Sequence, residues 1–137
     1  MRVLLLLAAL MCFGVSTAVA QDPVVADADH IKLEFENSQV RVLRYSYKPG
    51  EKSPIHDHLT NVLIALTDQD AKSTANGKTT DFHAKAGQVF WRNATKHVFE
   101  NVGTTPADGI LVELKGGPSA SKAAKTKAAK TKAAKTK

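Results

Sequence analysis

The chain has 137 residues, which allows one small domain with appended segments. Seven of its 19 basic residues are lysines at 122–137 and Arg2 lies near the N-terminus, which leaves 11 basic against 13 acidic residues elsewhere. The high isoelectric point therefore belongs to the tail, and the central part is close to neutral. The single cysteine, Cys12, excludes an intramolecular disulfide.

Residues 1–20 have the pattern of a secretory signal peptide. Arg2 gives a positive start, residues 3–15 are apolar, and Ala18-Val19-Ala20 fits a small-residue cleavage site. The apolar run is too short to span a bilayer comfortably, and no other segment could cross one. We expect an exported protein, periplasmic or secreted, whose mature chain has no transmembrane segment. Because Cys12 would be removed, any metal would be held by N and O ligands.

Short strands follow a loose lead-in at residues 21–29. The first strand alternates apolar Ile31, Leu33 and Phe35 with polar neighbours, as a half-buried strand does. Asn76-Gly77 is the strongest hairpin signal in the chain. No part of the domain has a ten-residue helical period, so the pattern predicts an all-β antiparallel sandwich or barrel. The predicted strands are IKLEFEN, VRVLRYSY, NVLIALT, AKSTA, KTTDFHA, QVFWR, KHVFENV and DGILVELK.

The C-terminal segment, residues 116–137, is a Gly/Pro linker followed by a lysine-rich repeat. The motif AAKTK occurs three times, and its five-residue step would spread lysines around every side of a helix. We therefore expect the folded domain, residues 30–115, to end near Lys115 and the tail to be disordered. The tail would bind an anionic envelope surface or another polyanion, or act only as a solubilising segment.

Two segments carry a recognisable histidine pattern. In KPGEKSPIHDH a Pro-Gly turn precedes His56 and His58, and in KAGQVFWRNATKHVFEN Gly87 precedes His97. These segments resemble the two motifs of the cupins, in particular of small single-domain cupins that are RmlC-like, some of them labelled beta-alanine-degradation-like. The resemblance covers residues 31–115. It implies a double-stranded β-helix, which is the jelly-roll fold or cupin barrel.

The resemblance implies that His56, His58 and His97 are three ligands of one divalent transition metal ion inside the barrel. Imidazole suits Fe, Mn, Ni, Cu or Zn, with open positions for substrate or water. The chain departs from the motif because the family's glutamate should fall at Val62 or Leu63, and neither can ligate a metal.

Three possibilities follow from this departure. The site can use three histidines alone, it can recruit a nearby side chain such as Asp57 or Thr60, or it can bind no metal. Asp57 lies between the two histidines of its strand and should point to the opposite face.

Other residues are candidates for binding a small-molecule substrate. Arg44 would clamp a carboxylate if it faces inwards, or form a salt bridge at the rim. Trp91 would line the pocket or pack in the core. Asn101 matches the motif asparagine and has hydrogen bonding in the turn as its other role. Glu113 follows the family's pattern of strand-end acids, but nothing in the sequence places it at the site.

The leading hypothesis is an exported small cupin with a three-His metal site and an oxygenase-type activity on a small organic acid. The metal would act as a Lewis acid or redox centre. The alternative is a non-catalytic cupin that binds a small ligand without metal and associates with the envelope. A third possibility is an interaction protein that forms a homodimer through its sheet, as the resemblance implies.

Overall fold

The computed structural model describes residues 21–116, so the predicted signal peptide and the lysine repeat lie outside the described residues. Within this range there are nine strands and one short helix, and no helix is long and apolar enough to cross a membrane. The elements are α1 (Pro23–Ala26), β1 (Ile31–Glu36), β2 (Val40–Tyr47), β3 (His56–His58), β4 (Asn61–Ala65), β5 (Gln69–Ala75), β6 (Lys78–Ala84), β7 (Val89–Arg92), β8 (Thr95–Asn101) and β9 (Ala107–Leu114).

The strands form two sheets that enclose one core. The order is β1-β2-β9-β4-β7 in the five-stranded sheet and β3-β8-β5-β6 in the four-stranded sheet, and all paired strands are antiparallel. The buried apolar side chains come from both sheets, as a sandwich of two half-buried sheets requires. The prediction of an all-β jelly roll is confirmed.

Strand β2 shows how the alternating sequence builds this core. Leu43, Tyr45 and Tyr47 are buried against the other sheet, whereas Arg44 between them is exposed. Tyr45 lies opposite Gly109 of β9, and a Cβ atom at Gly109 would lie 2.3 Å from the Tyr45 hydroxyl oxygen. Glycine at this position therefore makes room for a buried tyrosine ring.

Strand β1 departs from the half-buried strand that its sequence predicts. Its register against β2 shifts between Leu33, which pairs with Leu43, and Phe35, which pairs with Val42. A bulge of this kind reverses the direction of the side chains beyond it. Ile31 is therefore buried, but Phe35 is turned to the outer face and is 53% exposed.

The lead-in at residues 21–29 is packed against the domain and is not loose. The Asp22 carboxylate caps α1 by accepting a hydrogen bond from the Val24 backbone at 2.9 Å. Asp27 is buried and accepts hydrogen bonds from the Tyr47 hydroxyl and from Nδ1 of His30, the latter at 2.6 Å. The prediction missed this packing because Tyr47, the partner on β2, is distant in sequence.

The hairpin between β5 and β6 has the turn that its sequence predicts. Asn76 and Gly77 both have positive φ angles, +52° and +74°, and Ala75 pairs with Lys78 across the turn. Two central residues of positive φ define the type I′ turn that matches the twist of the flanking strands.

Candidate metal centre

The three motif histidines converge on the inner face of the four-stranded sheet. His56 and His58 are two residues apart in β3 and share one face, and His56 pairs directly with His97 of β8. The three rings are buried, and their centroids lie 4.7, 5.0 and 5.4 Å apart. The structure therefore brings together all three residues that the sequence indicates as metal ligands.

Each imidazole is held through its Nδ1 atom. Backbone carbonyls and carboxylates only accept hydrogen bonds, so Nδ1 of His56 and of His58 must carry the proton. In the neutral ring this leaves Nε2 free as a ligand atom. The Nδ1 partners are the Pro54 carbonyl for His56 at 2.9 Å, Glu113 Oε1 for His58 at 2.6 Å and Ser73 Oγ for His97 at 2.8 Å.

The spacing of two of the free nitrogens fits a bound cation. The Nε2 atoms of His56 and His58 are 3.0 Å apart, and the candidate ligand atoms of all three histidines lie within 4.8 Å of one another. Two nitrogens that bind one ion at about 2.1 Å are about 3.0 Å apart when they subtend about 90°. Without an ion, one of the two rings would have to be protonated at both nitrogens to make this contact favourable.

Burial keeps His56 and His97 in the form that binds metal. Desolvation, with a smaller contribution from the neighbouring imidazoles, lowers the pKa of His56 to about 4 and that of His97 to about 2. Both rings are therefore neutral near pH 7, and a neutral imidazole does not have to lose a proton before it binds a metal.

Glu113 is a site residue that the sequence analysis did not assign. Its fully buried carboxylate accepts the Nδ1 proton of His58 and two hydrogen bonds from Arg41, at 2.9 Å from Nε and 2.7 Å from Nη2. Burial opposes the charge, but the hydrogen bonds from His58 and Arg41 outweigh it and lower the pKa of Glu113. Glu113 therefore orients His58 as a charged acceptor. The signal in the sequence was that Glu113 lies two residues after the apolar Leu111 in β9, so that both side chains point to the same, inner face.

No carboxylate takes the place of the glutamate that the cupin motif would have. Val62 faces outwards and Leu63 lines the cavity in front of the histidines. Asp57 is buried but lies outside the cluster, and neither of its carboxylate oxygens has a hydrogen-bond partner among residues 21–116. Burial raises the pKa of Asp57. Of the possibilities for a metal site, the described residues fit the one with three histidines alone.

The cavity in front of the cluster is small and largely apolar. The space open to the centres of water-sized molecules is about 40 Å³. Leu63 and Leu111 belong to the five-stranded sheet, and Phe82 and Phe99 to the four-stranded sheet. Arg92 of β7 contributes the charged group of this lining.

The three residues that the sequence indicates for substrate binding do not line this cavity. Arg44 is exposed on the outer face and pairs with Glu34, so it forms the surface salt bridge that was the other possibility. Trp91 is 62% exposed, so it neither lines the cavity nor packs in the core. Asn101 is buried and bonds only to backbone groups, which gives it the turn-holding role. Successive side chains of a strand point to opposite faces, so Arg92 of β7 faces inwards whereas Trp91 before it faces outwards.

Comparison with solved structures identifies this architecture. A cupin domain from Bordetella pertussis Tohama I matches with a TM-score of 0.59 at 18% identity, over 63% of this chain and 92% of that chain. An RmlC-like cupin family protein from Methanocaldococcus jannaschii, with a double-stranded β-helix fold, matches with a TM-score of 0.51 at 16% identity, over 61% and 77%. No family model and no curated protein matches the sequence.

The fold and the site together define a small jelly-roll protein with an internal three-His cluster. The chain has the cupin fold.

Proposed function

We propose that this protein binds one divalent transition metal ion (Fe, Mn, Ni, Cu or Zn) through Nε2 of His56, His58 and His97, and acts as an oxygenase-type enzyme on a small organic acid. The observation that supports the metal site is the convergence of three imidazoles whose Nδ1 atoms are already engaged. The bound ion would supply a Lewis acid or redox centre at the substrate oxygen.

The chain's own residues prepare the site in two ways. Glu113 and Ser73 fix the rings of His58 and His97, which reduces the reorganisation needed when a cation binds. Leu63 and Leu111 form an apolar wall that limits the access of water and strengthens electrostatic interactions inside the cavity.

Metal content tests the first part of this proposal. The protein is purified without chelator or affinity tag, and elemental analysis compares it with a His56→Ala/His58→Ala variant. His83→Ala is the matched control, since His83 is exposed and paired with Asp70. We expect about one equivalent of metal in the wild type and in the control, and none in the double variant. A wild type that binds no metal even after reconstitution would refute the metal site.

A cupin that binds a small ligand without catalysis is the second candidate. It is favoured by the cavity lining, which within the described residues contains no carboxylate that could transfer a proton. Oxygen uptake by the metal-loaded protein in the presence of small carboxylic acids separates the two functions. Uptake that is lost in the double histidine variant supports the oxygenase, and ligand binding without uptake supports the binding protein.

A homodimer is proposed from an apolar row on the outer face of the five-stranded sheet. The register aligns Phe35, Val42, Val112, Val62 and Trp91 across all five strands, over about 19 Å at the usual strand spacing. Phe35 and Trp91 at the two ends are 53% and 62% exposed. A twofold rotation about the middle of the row places Phe35 of one copy beside Trp91 of the other, which makes the row self-complementary.

The oligomeric state in solution tests the dimer. Trp91→Lys should give a monomer by light scattering at a concentration where the wild type is dimeric. The matched control is Val25→Lys, because Val25 is 81% exposed and lies outside the row. A wild type that is monomeric at high concentration would contradict the proposal.

Export and adhesion to anionic surfaces are proposed from residues 1–20 and 116–137, most of which lie outside the described residues. Cell fractionation with and without residues 1–20 tests export. Sedimentation with vesicles containing anionic lipid tests adhesion, which should weaken with rising salt and disappear when residues 117–137 are removed. Equal binding by the truncated chain would assign the tail a solubilising role only.

A further inference from the structure

Arg92 is a charged residue of the cavity without a partner in the described part of the chain. It lies opposite Asn61 of β4 and faces the cavity, and its guanidinium carbon is 5.0 Å from the centroid of the Phe82 ring. Among residues 21–116 no carboxylate lies within salt-bridge distance of Arg92, and its side chain makes no hydrogen bond. In contrast, Arg41 and Arg44 are both paired with carboxylates.

An unpaired charge in an apolar cavity is unfavourable for folding. Burial lowers the pKa of Arg92, although a guanidinium remains protonated at physiological pH. The ring of Phe82 offsets part of this cost through a cation–π contact. Five N–H donors in a planar fork are nevertheless left for a ligand, and a carboxylate is the group that matches this fork.

The charge of Arg92 acts close to the histidine cluster. Arg92 and the three histidines line the same cavity, so a ligand bound to the guanidinium also lies beside the cluster. Asn61 lies directly across from Arg92 in the register, and its Oδ1 is buried without a hydrogen-bond partner among the described residues. One wall of the cavity therefore has both free donors and a free acceptor.

The volume of the cavity limits the size of the ligand that it can hold. A water molecule needs about 10–15 Å³ of space for its centre, so the 40 Å³ open here admits about three water-sized groups. This corresponds to an acid of two or three carbons, with a metal ion at the histidine end taking part of the space.

We propose that Arg92 binds the carboxylate of a two- or three-carbon acid inside the cavity, with Asn61 Oδ1 accepting a hydrogen bond from a hydroxyl group of that acid or from a water molecule. For the metal ion at the histidine end of the cavity, this inference rests on the proposed function. It adds the class of the substrate and the residue that selects it. The anion would lie between the guanidinium and the histidine cluster.

Calorimetric titration with acetate and with acetamide, a neutral analogue of similar shape, tests this inference. The titrations use zinc-supplemented and metal-free protein at constant ionic strength. Arg92→Met removes the charge and keeps an apolar stem, and Arg44→Met is the matched control because Arg44 is paired on the surface. We expect acetate affinity to fall at least tenfold in Arg92→Met, to stay unchanged in Arg44→Met, and acetamide to bind weakly to all three proteins.

Stability and metal content identify the cause of any loss. Removing an unpaired charge should leave the unfolding temperature of ligand-free Arg92→Met equal to or above that of the wild type, so weak binding cannot be ascribed to unfolding. Arg92→Lys, which keeps the charge without the fork, should have intermediate affinity.

Two results separate this inference from the proposed function. If Arg92→Met binds acetate as the wild type does while zinc content is normal, the inference is refuted and the metal site stands. If no protein binds zinc but acetate binding still depends on Arg92, the carboxylate site is upheld and the metal proposal fails.

Discussion

Glu113 gives the sharpest test of how the histidine cluster is held. Its carboxylate accepts hydrogen bonds from Arg41 and from His58, and none of its surface is exposed to solvent. Glu113→Ala would leave the guanidinium of Arg41, whose side chain is only 14% exposed, with Asp22 as its remaining carboxylate partner among the described residues. Removing one member of a buried ion pair costs about 3–5 kcal/mol when the other charge is left uncompensated, so this is an upper limit for Arg41, which keeps Asp22. At about 4–8 °C per kcal/mol for a domain of this size, a loss of about 3 kcal/mol corresponds to a fall of about 12–24 °C in the unfolding temperature, which is the largest change that we expect.

Glu113→Gln separates orientation of the histidine from stability. The glutamine keeps an oxygen that can accept a hydrogen bond from His58 but loses the negative charge, which should cost about 1.5–3 kcal/mol of unfolding free energy. Loss of a carboxylate that orients a metal-binding histidine typically weakens metal binding 10- to 100-fold. We therefore expect a folded variant with weaker zinc binding.

The assay combines urea unfolding, which gives the free energy of unfolding, with competition against a chromophoric chelator, which gives zinc affinity. Glu36→Gln is the matched control, because Glu36 pairs with Lys115 on the surface with 41% of its side chain exposed. Zinc affinity and unfolding free energy in Glu113→Gln that both equal those of the control would refute the role assigned to Glu113.

Three further predictions concern the scaffold. Gly109→Ala should lower the free energy of unfolding by about 1–3 kcal/mol in urea, because its Cβ would lie 2.3–2.5 Å from the hydroxyl and ring atoms of Tyr45; a neutral result would mean that the ring moves freely. Burial raises the pKa of Tyr45 to about 12 from 10. The contribution of the neutral Tyr45 hydroxyl to the free energy of unfolding is therefore fully present below pH 10 and lost as the pH rises from 10 to 12. Tyr45→Phe should lack this loss of about 2–3 kcal/mol. If the free energies of unfolding of the wild type and of Tyr45→Phe, measured in urea, changed in parallel between pH 10 and 12, the raised pKa of Tyr45 would be contradicted. Gly77→Ala should cost about 1 kcal/mol, since φ at Gly77 is +74°, and an unchanged urea midpoint would show that the turn can be rebuilt.

Features that depend on neighbours in sequence could be predicted. The alternation of β2 gives its bounds at residues 40–47 and divides its side chains between two faces, and Asn76-Gly77 gives the hairpin, because both are local backbone preferences. The histidine cluster could be predicted because two ligands lie two residues apart on one strand, while the third came from the motif resemblance.

Features set by tertiary register could not be predicted. Glu113 is 55 residues from His58 and 72 from Arg41, and nothing local reports that the three side chains meet. Arg44 and Arg92 look alike in sequence, but which one faces the cavity depends on the phase of its strand relative to the core. A single bulge in β1 was enough to turn Phe35 from the predicted core to the surface.

The missing motif glutamate bears on ligand choice as well as on metal binding. With Leu63 at the cavity wall, three imidazoles, which are neutral when they bind a cation, leave its charge uncompensated, and Arg92 in the same lining adds another positive charge. Glu113 cannot compensate for both, since Arg41 and His58 already occupy its carboxylate. We therefore expect the counter-charge to come from a ligand. Linkage requires that if acetate raises zinc affinity by some factor, zinc raises acetate affinity by the same factor. In the sequence alone, the missing glutamate argues against metal binding. Beside Arg92 in the structure, it is an argument for an anionic ligand that completes the site.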